Sequence, residues 1–217
     1  MTDEGNMYGA IKFYQLALKN NIKPIIGLKL NYEYNGIESS ILLYAMNNFG
    51  YRNLMKLSST YMIQDKKIDL SVILNNGLGL LAIVPFSESV LFRFYKNRNF
   101  NAIFQHISIL KSTFDQFYVG LSKQTKEDKI IINDCYNMFN QNNINVTALH
   151  KITYLEDYDV DVYRTLRSIS RGAELVELSE KEYGELTEDE KRFYQRDLTR
   201  KGNYSLNIAA RNAGVKN

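Results

Sequence analysis

The sequence predicts an α/β protein in which helices wrap a parallel or mixed sheet, and three observations support this fold class. Apolar runs typical of strands alternate with helical patterns from the first residues to about residue 172. Residues 80–85, LLAIVP, are continuously apolar, which is typical of a strand covered on both faces. Asn35 and Gly36 form a turn dipeptide between two apolar runs, which predicts a hairpin within the sheet.

The first predicted unit consists of a turn, an amphipathic helix and a strand. Asp3 and Glu4 belong to the turn, and because such a turn follows a strand in α/β units, we expect a preceding strand to be missing. Pro24 blocks continuation of the helix, since proline has no amide hydrogen to donate. The helix is predicted from Tyr8, Ile11, Tyr14, Gln15 and Leu18, and the strand from Ile25, Ile26, Leu28 and Leu30.

The remaining elements follow from hydrophobic periodicity. Strands are expected over residues 41–46, 80–85, 117–121 and 144–149, with another extended piece at 152–155. Helices are expected around residues 51–58, 70–74, 87–95, 101–114, 126–141 and 157–170, and residues 64–67 are expected to be a loop. The predicted inward residues of the last two helices are Ile130, Ile131, Cys135, Met138 and Phe139, and then Val160, Tyr163, Leu166 and Ile169. From residue 174 the chain is charged, with predicted helices at 187–196 and 205–213.

The composition is that of an ordinary globular protein. The 217 residues are 45% hydrophobic and 24% charged, which is enough for one domain with a sizeable core. The net charge of +3 is too small to imply binding to nucleic acid or anionic membranes by itself. Cys135 is the only cysteine, so no internal disulfide forms and we expect a reducing, cytoplasmic compartment. The longest apolar run, around residues 78–86, is too short to span a bilayer.

Two interpretations of Asp3 and Glu4 stay open. Acidic residues on a turn after a strand stand where α/β barrels place metal ligands and catalytic groups. The same residues can instead cap the first helix and favour its dipole. His106, expected to be at the surface or half-buried, and His150, after a strand, are too far apart to form a metal centre. Cys135 lacks a nearby base and is expected to be a small core residue.

Basic residues cluster late in the chain, and such a cluster can contact a phosphate backbone. Interleaved acidic residues favour a solvated surface of mixed charge instead. No glycine-rich phosphate loop, GxSxG or HExxH motif is present. The basic residues are Lys191, Arg192, Arg196, Arg200, Lys201 and Arg211, and the acidic ones are Glu182, Glu185, Glu188, Asp189 and Glu190.

Three stretches of the chain carry a resemblance to a known family. TDEGNMYGAIKFYQLALKNNIKPIIGLKL, residues 2–30, resembles the N-terminal polymerase-and-histidinol-phosphatase (PHP) domain of bacterial replicative DNA polymerase III alpha subunits. GYRNLMKLSS at residues 50–59 and VTALHKITYLEDYDVDVYRTLRSISRG at residues 146–172 are similar to later segments of that domain, at the right separations. The resemblance therefore runs from residue 2 to about residue 172.

The resemblance implies a distorted seven-stranded (β/α)7 barrel related to the TIM barrel. It places the PHP domain at residues 1–172 and a charged helical extension, leading toward the polymerase core, at residues 173–217. It also implies a fragment truncated at its N-terminus, because the family opens with a strand bearing an H-x-H motif, a helix and a second strand. We therefore expect an incomplete barrel.

Several residues depart from the metal-binding pattern of the family. The histidine of the family's TDHG motif is Glu4 here, and the glutamate that follows its IIG-C motif is Lys29. The aspartate and histidine of its ND-VHYL motif correspond to Lys151 and Thr153, so that only Asp3 keeps its family identity. Lys29 and Lys151 thus place ammonium groups where dications would bind, and we expect these groups to repel a metal and to pair with Asp3 and Glu4.

The resemblance implies a fragment of a DNA polymerase III alpha subunit, with a catalytically degenerate PHP domain that acts as a structural platform in DNA replication. We expect no catalytic residue, metal or other cofactor in this fragment. The DNA-directed DNA polymerase (nucleotidyltransferase) activity of the parent chain would use Mg²⁺ and carboxylates outside it. Expected partners are the rest of the polymerase chain, replisome subunits and, through the parent chain, DNA, but no membrane. The alternatives are a working metal-dependent PHP phosphoesterase or 3′–5′ exonuclease, and a DNA-contacting module that uses the late basic cluster.

Overall fold

The computed structural model describes residues 1–64, 68–123 and 126–150, together with Ile152, Asp159, Val162, Tyr163, Thr165 and Leu166. The chain divides into two compact units. The first comprises Met1–Ser122 with Ile130–Leu149, and the second comprises Lys123–Lys129 with His150–Asn217. Several predicted elements lie outside the described residues. These are the loop at 64–67 except for Gln64, the extended piece at 152–155 except for Ile152, and the helices at 187–196 and 205–213.

Six strands form one sheet in the first unit: β1 (Thr2–Glu4), β2 (Gly27–Tyr34), β3 (Ile37–Ala45), β4 (Leu80–Pro85), β5 (Gln116–Leu121) and β6 (Val146–Ala148). The strands lie side by side in this order. β3 is antiparallel to both of its neighbours, whereas β1 pairs in parallel with β2, and β5 pairs in parallel with β4 and β6. The prediction of a mixed α/β sheet is therefore confirmed.

Residues 2–4 form a strand, whereas the sequence predicted a turn at Asp3 and Glu4. Thr2, Asp3 and Glu4 pair in register with Gly27, Leu28 and Lys29. The turn follows one residue later, at Gly5, whose φ is +72°. Three consecutive polar residues carry no alternation of apolar and polar residues that would predict a strand. Their extended conformation depends on pairing with β2. Because side chains alternate along a strand, Asp3 and Glu4 point to opposite faces of the sheet.

The hairpin predicted at Asn35 and Gly36 is confirmed. Both residues have positive φ angles, +51° and +73°. A two-residue turn with this backbone matches the right-handed twist of the flanking strands, and glycine adopts it without a steric cost. The turn fixes the register of β2 and β3 along their whole length, from Tyr34 opposite Ile37 to Gly27 opposite Tyr44.

One face of the sheet lies in the hydrophobic core. On β2, Leu28, Leu30 and Tyr32 are at most 2% exposed, while the intervening Lys29 and Asn31 are only partly buried. This alternation places the apolar residues on the side that the helices cover and the polar residues on the other side.

β4 shows the same alternation, which differs from the prediction that both of its faces are covered. Leu80, Ala82 and Val84 have no exposed surface, whereas Leu81 and Ile83 stay partly exposed. An unbroken apolar run does not distinguish complete burial from partial burial on one side. The sheet therefore has one fully covered face and one partly covered face.

In the described part of the chain up to residue 150, the strands are accompanied by the helices α1 (Ala10–Lys19), α2 (Asn48–Ile63), α3 (Leu70–Leu74), α4 (Val90–Lys96), α5 (Phe100–Thr113) and α6 (Lys126–Gln141). Each was predicted, with ends displaced by a few residues. α2 begins where the Asn47 side chain accepts a hydrogen bond of 2.9 Å from the Gly50 amide. α4 begins later than predicted because Phe86–Glu88 forms a separate 3-10 turn after β4. None of the described helices is both long and apolar enough to cross a lipid bilayer.

α1 packs on the sheet through a face that its large apolar residues did not predict. Ala10 and Ala17 are buried, whereas Ile11, Tyr14 and Leu18 are 66%, 48% and 51% exposed. Alanine side chains are short, so they let the helix backbone lie close to the strands. The helical spacing of Ile11, Tyr14 and Leu18 therefore predicted the helix correctly, but these residues do not form its buried face.

The inward residues predicted for the last two helices are confirmed in part. Cys135 and Phe139 of α6 have no exposed surface, but Ile130 is 78% exposed. In the segment predicted as a helix at 157–170, the described residues Asp159, Val162, Tyr163, Thr165 and Leu166 are helical, and Leu166 is 61% exposed rather than inward. The spacing of apolar residues predicts that a segment is helical more reliably than it predicts which of those residues are buried.

Candidate functional site

Polar side chains lie next to one another on the partly covered face of the sheet. Glu4 on β1 is directly opposite Lys29 on β2, and Asn31 on β2 is opposite Ser40 on β3. The Ser40 hydroxyl donates a hydrogen bond of 2.7 Å to Asn31 Oδ1. We call this side of the sheet the open face. Its residues include Glu4, Lys29, Asn31, Ser40, Leu42, Ile83 and Tyr118.

Lys29 forms an ion pair across the open face with Glu88. The distance from Lys29 Nζ to Glu88 Oε2 is 2.5 Å. The Lys29 side chain is 14% exposed, so its charge is largely removed from water, while the Glu88 side chain is 45% exposed. The sequence predicted that Lys29 pairs with Asp3 and Glu4; its recorded partner is instead Glu88, 59 residues away along the chain.

Glu88 is the residue of this site that sequence reasoning missed. It lies in the Phe86–Glu88 turn, directly after the buried strand β4. β2 and β4 run in the same direction, because each is antiparallel to β3. Polar groups after the carboxyl end of a buried strand are a recognised signal for functional loops, and that signal was available in the sequence.

An open cleft of about 440 Å³ lies beside this ion pair. Both signs of charge line it, since Lys29 and Arg93 are cationic and Glu38 and Glu88 are anionic. The cleft therefore offers polar and charged groups with no formal excess of either sign. Its other lining residues are Asn31, Ile37, Ser40, Ser87, Ser89 and Phe92.

The two acids of β1 do not converge on one point. Glu4 is exposed on the open face, whereas Asp3 lies on the side of α1, where a Cβ placed on Gly9 would be 3.7 Å from Asp3 Oδ2. Neither acid caps α1 through a hydrogen bond, because its N-cap is Gly9 and no side chain makes a capping bond there. The structure therefore contradicts a capping hydrogen bond from either acid, whereas Asp3 lies beside the start of α1, where a negative charge favours the helix dipole.

Tyr61 of α2 lies near the open face, and the charges on that face affect its pKa. Burial raises the pKa of Tyr61, a hydrogen bond with the Asn31 backbone opposes this rise, and the negative charge of Glu4 adds to it. The Tyr61 ring also packs on Gly5, where an added Cβ would lie 2.7 Å from Tyr61 Cε1. α2 therefore holds the end of β1 through an aromatic contact.

His106 is fully buried, which corrects the expectation of a surface or half-buried residue. Its Nε2 lies 2.8 Å from the Tyr32 hydroxyl, and its ring centroid is 4.3 Å from that of Tyr34. Its Nδ1 has no hydrogen-bond partner among the described residues. Burial lowers the pKa of His106 to about 4 and raises that of Tyr32 to about 12, although a hydrogen bond with Ser39 counters the latter shift. Both groups are therefore neutral at physiological pH, on the covered face of the sheet.

The other candidate residues are Cys135, His150 and several residues outside the described part of the chain. Cys135 is buried with the hydrophobic core, as predicted. His150 is exposed just after β6. The residues proposed for vestigial metal positions at Lys151 and Thr153, and for DNA contacts at Lys191, Arg192, Arg196, Arg200 and Lys201, lie outside the described residues.

The donor set on the open face does not suit a dication. Within the part of the chain that the structure describes, no three His, Cys, Asp or Glu side chains come together in a cluster able to hold a metal ion. Glu4 and Glu88 supply carboxylate oxygens, but the Lys29 ammonium is opposite the first in the sheet and bonded to the second. A fixed cation at this position repels a second cation, and it satisfies the carboxylate that a metal would need.

The sequence model of the PHP domain matches residues 1–125, more than half of the chain, and the chain belongs to the PHP domain family.

Several curated proteins similar to this chain are named DNA polymerase III subunit alpha. The Rickettsia bellii protein is 28% identical over 180 residues, which cover 79% of this chain and 15% of the relative. The Bacillus subtilis protein is 28% identical over 182 residues, which cover 82% of this chain and 16% of the relative. The Campylobacter jejuni protein is 46% identical over 72 residues, 30% of this chain and 6% of the relative. The chain thus spans about a sixth of the length of the first two relatives.

Proposed function

We propose that this chain is the PHP portion of a DNA polymerase III alpha subunit, and that it acts as a structural platform in bacterial DNA replication rather than as a phosphoesterase. Family membership and similarity over about four fifths of the chain support the relationship. The Lys29–Glu88 ion pair is the observation that supports the loss of metal chemistry. In this proposal residues 1–172 form a distorted PHP-type barrel, and residues 173–217 form a charged extension toward the polymerase core.

The proposed partners follow from the same relationship. The rest of the alpha chain would supply the DNA-directed DNA polymerase activity, with its own Mg²⁺, and replisome subunits and DNA would be contacted through that chain in the cytoplasm. The late basic residues Lys191, Arg192, Arg196, Arg200 and Lys201 remain a proposal for contacts with a DNA backbone, because Lys and Arg neutralise phosphates.

Metal analysis of the purified full chain tests the loss of metal chemistry. We expect less than stoichiometric manganese, zinc or iron by mass spectrometry, and no hydrolysis of a phosphomonoester or of single-stranded DNA in the presence of manganese or zinc. Stoichiometric metal that disappears in Asp3→Ala, accompanied by hydrolysis, would instead establish the alternative, a metal-dependent PHP phosphoesterase or 3′–5′ exonuclease.

Charge reversal at Lys29 tests the role of that residue. Lys29→Glu places a carboxylate opposite Glu4 and near Glu88, which brings together three acidic groups of the kind that bind hard dications. We expect calorimetry to detect manganese binding in this variant and none in the parent chain. Lys12→Glu, on the exposed surface of α1, is the matched control for the change in net charge. Equal manganese binding by the two variants would show that Lys29 does not keep metals out.

A further inference from the structure

Asparagine is followed directly by glycine at two places in the chain, Asn35-Gly36 and Asn76-Gly77. In such a pair the backbone nitrogen of the glycine can attack the carboxamide carbon of the asparagine, because glycine has no side chain that hinders the approach. The two pairs contain the same reactive atoms. A difference between their reactivities in the folded protein therefore arises from their surroundings.

The Asn35-Gly36 pair lies at the exposed tip of the β2–β3 hairpin. Both residues are exposed, and nothing lies within 4 Å of a Cβ built on Gly36. Among the described residues, no hydrogen-bond partner is recorded for the Asn35 carboxamide or for Gly36 N–H. The carboxamide can therefore turn toward the Gly36 nitrogen without breaking a recorded bond of either group.

The Asn76-Gly77 pair is held at the atoms that the same reaction would use. Asn76 Nδ2 donates a hydrogen bond of 2.9 Å to the Val72 carbonyl, and Gly77 N–H donates one of 3.3 Å to the Leu74 carbonyl. Gly77 is buried, and a Cβ built on it would lie 2.5 Å from Thr113 Cγ2. A reactive geometry at this pair requires local unfolding that breaks both bonds and disturbs this packing.

We propose that Asn35 is a site of spontaneous covalent modification, at which the chain closes a succinimide ring that water then opens. The Gly36 nitrogen forms a bond to Asn35 Cγ, and Asn35 Nδ2 leaves as ammonia with the proton that the Gly36 amide loses. Addition of water at Cγ breaks the new bond and leaves an aspartyl residue. Addition at the carbonyl carbon of residue 35 breaks the original peptide bond and leaves an isoaspartyl residue, whose main chain runs through Cγ. Water is the only co-reactant.

Both products alter the hairpin. The isoaspartyl residue adds one carbon atom to the main chain of a two-residue loop, and the length of that loop fixes the register of the two strands. Either product also adds a carboxylate next to Glu33 and Glu38, which already lie directly opposite each other. Ile37 and Glu38 line the cleft, so the modification changes one wall of it.

The test follows both asparagines in the purified full chain by peptide mapping and mass spectrometry during incubation at neutral pH. In the folded protein we expect Asn35 to convert about tenfold or more faster than Asn76, because reaction at Asn76 requires the loss of two hydrogen bonds. In guanidinium chloride the two rates should agree within about threefold, since the fold no longer protects either pair. Peptides of equal mass that elute separately identify the aspartyl and isoaspartyl products.

Gly36→Ala tests the role of the Gly36 nitrogen. The methyl group has space in the folded turn but hinders the attack, so we expect conversion of Asn35 to slow about fivefold or more and conversion of Asn76 to stay the same. Asn35→Asp carries the new charge without the additional carbon atom. Hydrogen exchange at Tyr34 and Ile37 should therefore be faster in the isolated isoaspartyl form than in this variant.

Four outcomes would overturn the proposal. The two asparagines convert at equal rates in the folded protein. Asn35 converts about a hundredfold more slowly in the folded protein than in guanidinium chloride, which shows that the turn protects it. Gly36→Ala leaves the rate at Asn35 unchanged, which excludes attack by this nitrogen. The aspartyl product forms without the isoaspartyl product, which indicates direct hydrolysis of the carboxamide instead of ring closure.

Discussion

Tyr32 and His106 are joined by a hydrogen bond of 2.8 Å between the tyrosine hydroxyl and Nε2, in a part of the core where both residues are at most 2% exposed. The bond links β2 to α5 across 74 residues of sequence. His106 Nδ1 has no partner among the described residues, so only one of the two imidazole nitrogens is hydrogen-bonded within the part of the chain that the structure describes. Buried polar groups of this kind are costly to leave unpaired, which makes the pair a sensitive point of the fold.

Tyr32→Phe is expected to lower the free energy of unfolding by about 2 kcal/mol, since it leaves the second nitrogen of the buried imidazole without a partner. Urea denaturation at neutral pH measures the change. Tyr118→Phe is the matched control: its hydroxyl donates to Gln116 over 3.5 Å in an exposed bond, and we expect a loss below about 0.5 kcal/mol. Equal losses in the two variants would contradict the importance of the buried pair.

The free energy of unfolding is expected to fall as the pH is lowered from 6.5 to about 4. The first value is the ordinary pKa of histidine, and the second is the pKa of His106 in the folded protein. Burial lowers the folded pKa, so the unfolded chain takes up the proton first and its population rises with acidity. The full contribution is present above the ordinary pKa, and about 3 kcal/mol is lost across this range. Urea titrations at several pH values measure the slope.

His106→Leu is the control for this pH dependence. It removes the titrating group without adding a polar one. The free energy of unfolding should therefore depend less steeply on pH between 4 and 6.5, by the amount that corresponds to the uptake of about one proton on unfolding. Tyr32, which contacts the ring, has a pKa raised to about 12 by burial and does not titrate in this range. An unchanged slope in the leucine variant would assign the acid sensitivity to other groups.

Glu88→Gln is expected to lower the free energy of unfolding by about 1 kcal/mol, a value reduced by the partial exposure of the carboxylate. The loss arises because the largely buried Lys29 ammonium keeps its charge and loses its counter-ion. A double-mutant cycle with Lys29→Met isolates the coupling between the two side chains. Glu38→Gln serves as the control, because Glu38 lines the same cleft and makes no ion pair with the described residues. Zero coupling in the cycle would show that the pair contributes nothing to stability.

Gly5→Ala and Gly36→Ala are expected to differ in cost although their φ angles are nearly equal, +72° and +73°. At Gly36 nothing lies within 4 Å of an added Cβ, so only the left-handed backbone is penalised, by about 1 kcal/mol. At Gly5 the added Cβ would lie 2.7 Å from the buried Tyr61 ring, which raises the expected loss to about 3 kcal/mol. Thermal or urea unfolding of the two variants provides the comparison, and equal losses would show that the Tyr61 ring moves aside freely.

Much of the fold was predictable because its signals are local. The Asn35-Gly36 turn selects its own backbone conformation, and the apolar run at 80–85 is long enough to define a strand without its neighbours. β1 was not predictable, because Thr2, Asp3 and Glu4 become a strand only through their pairing with β2. The buried face of α1 was not predictable either, since its small alanines gave a weaker signal than its exposed isoleucine, tyrosine and leucine.

The candidate site was predictable in part for the same reason. Lys29 could be identified as a cation at a position where the resemblance implies a ligand. Its partner Glu88 could not be identified, because the pairing depends on how β4 lies relative to β2. The burial of His106 likewise depends on a tyrosine 74 residues earlier in the sequence. Sequence patterns describe neighbours along the chain, whereas these contacts join a strand to a turn and to a helix far away in the sequence.

The strands lie in the sheet in the same order in which they occur along the chain. During synthesis, each strand from β2 onward therefore leaves the ribosome when the edge with which it pairs has already been made. No formed ladder has to reopen to admit a later strand, which removes one common source of kinetic traps in sheet proteins. A chain that has emerged from the ribosome as far as Pro85 would therefore already contain the partners that its first four strands need among themselves.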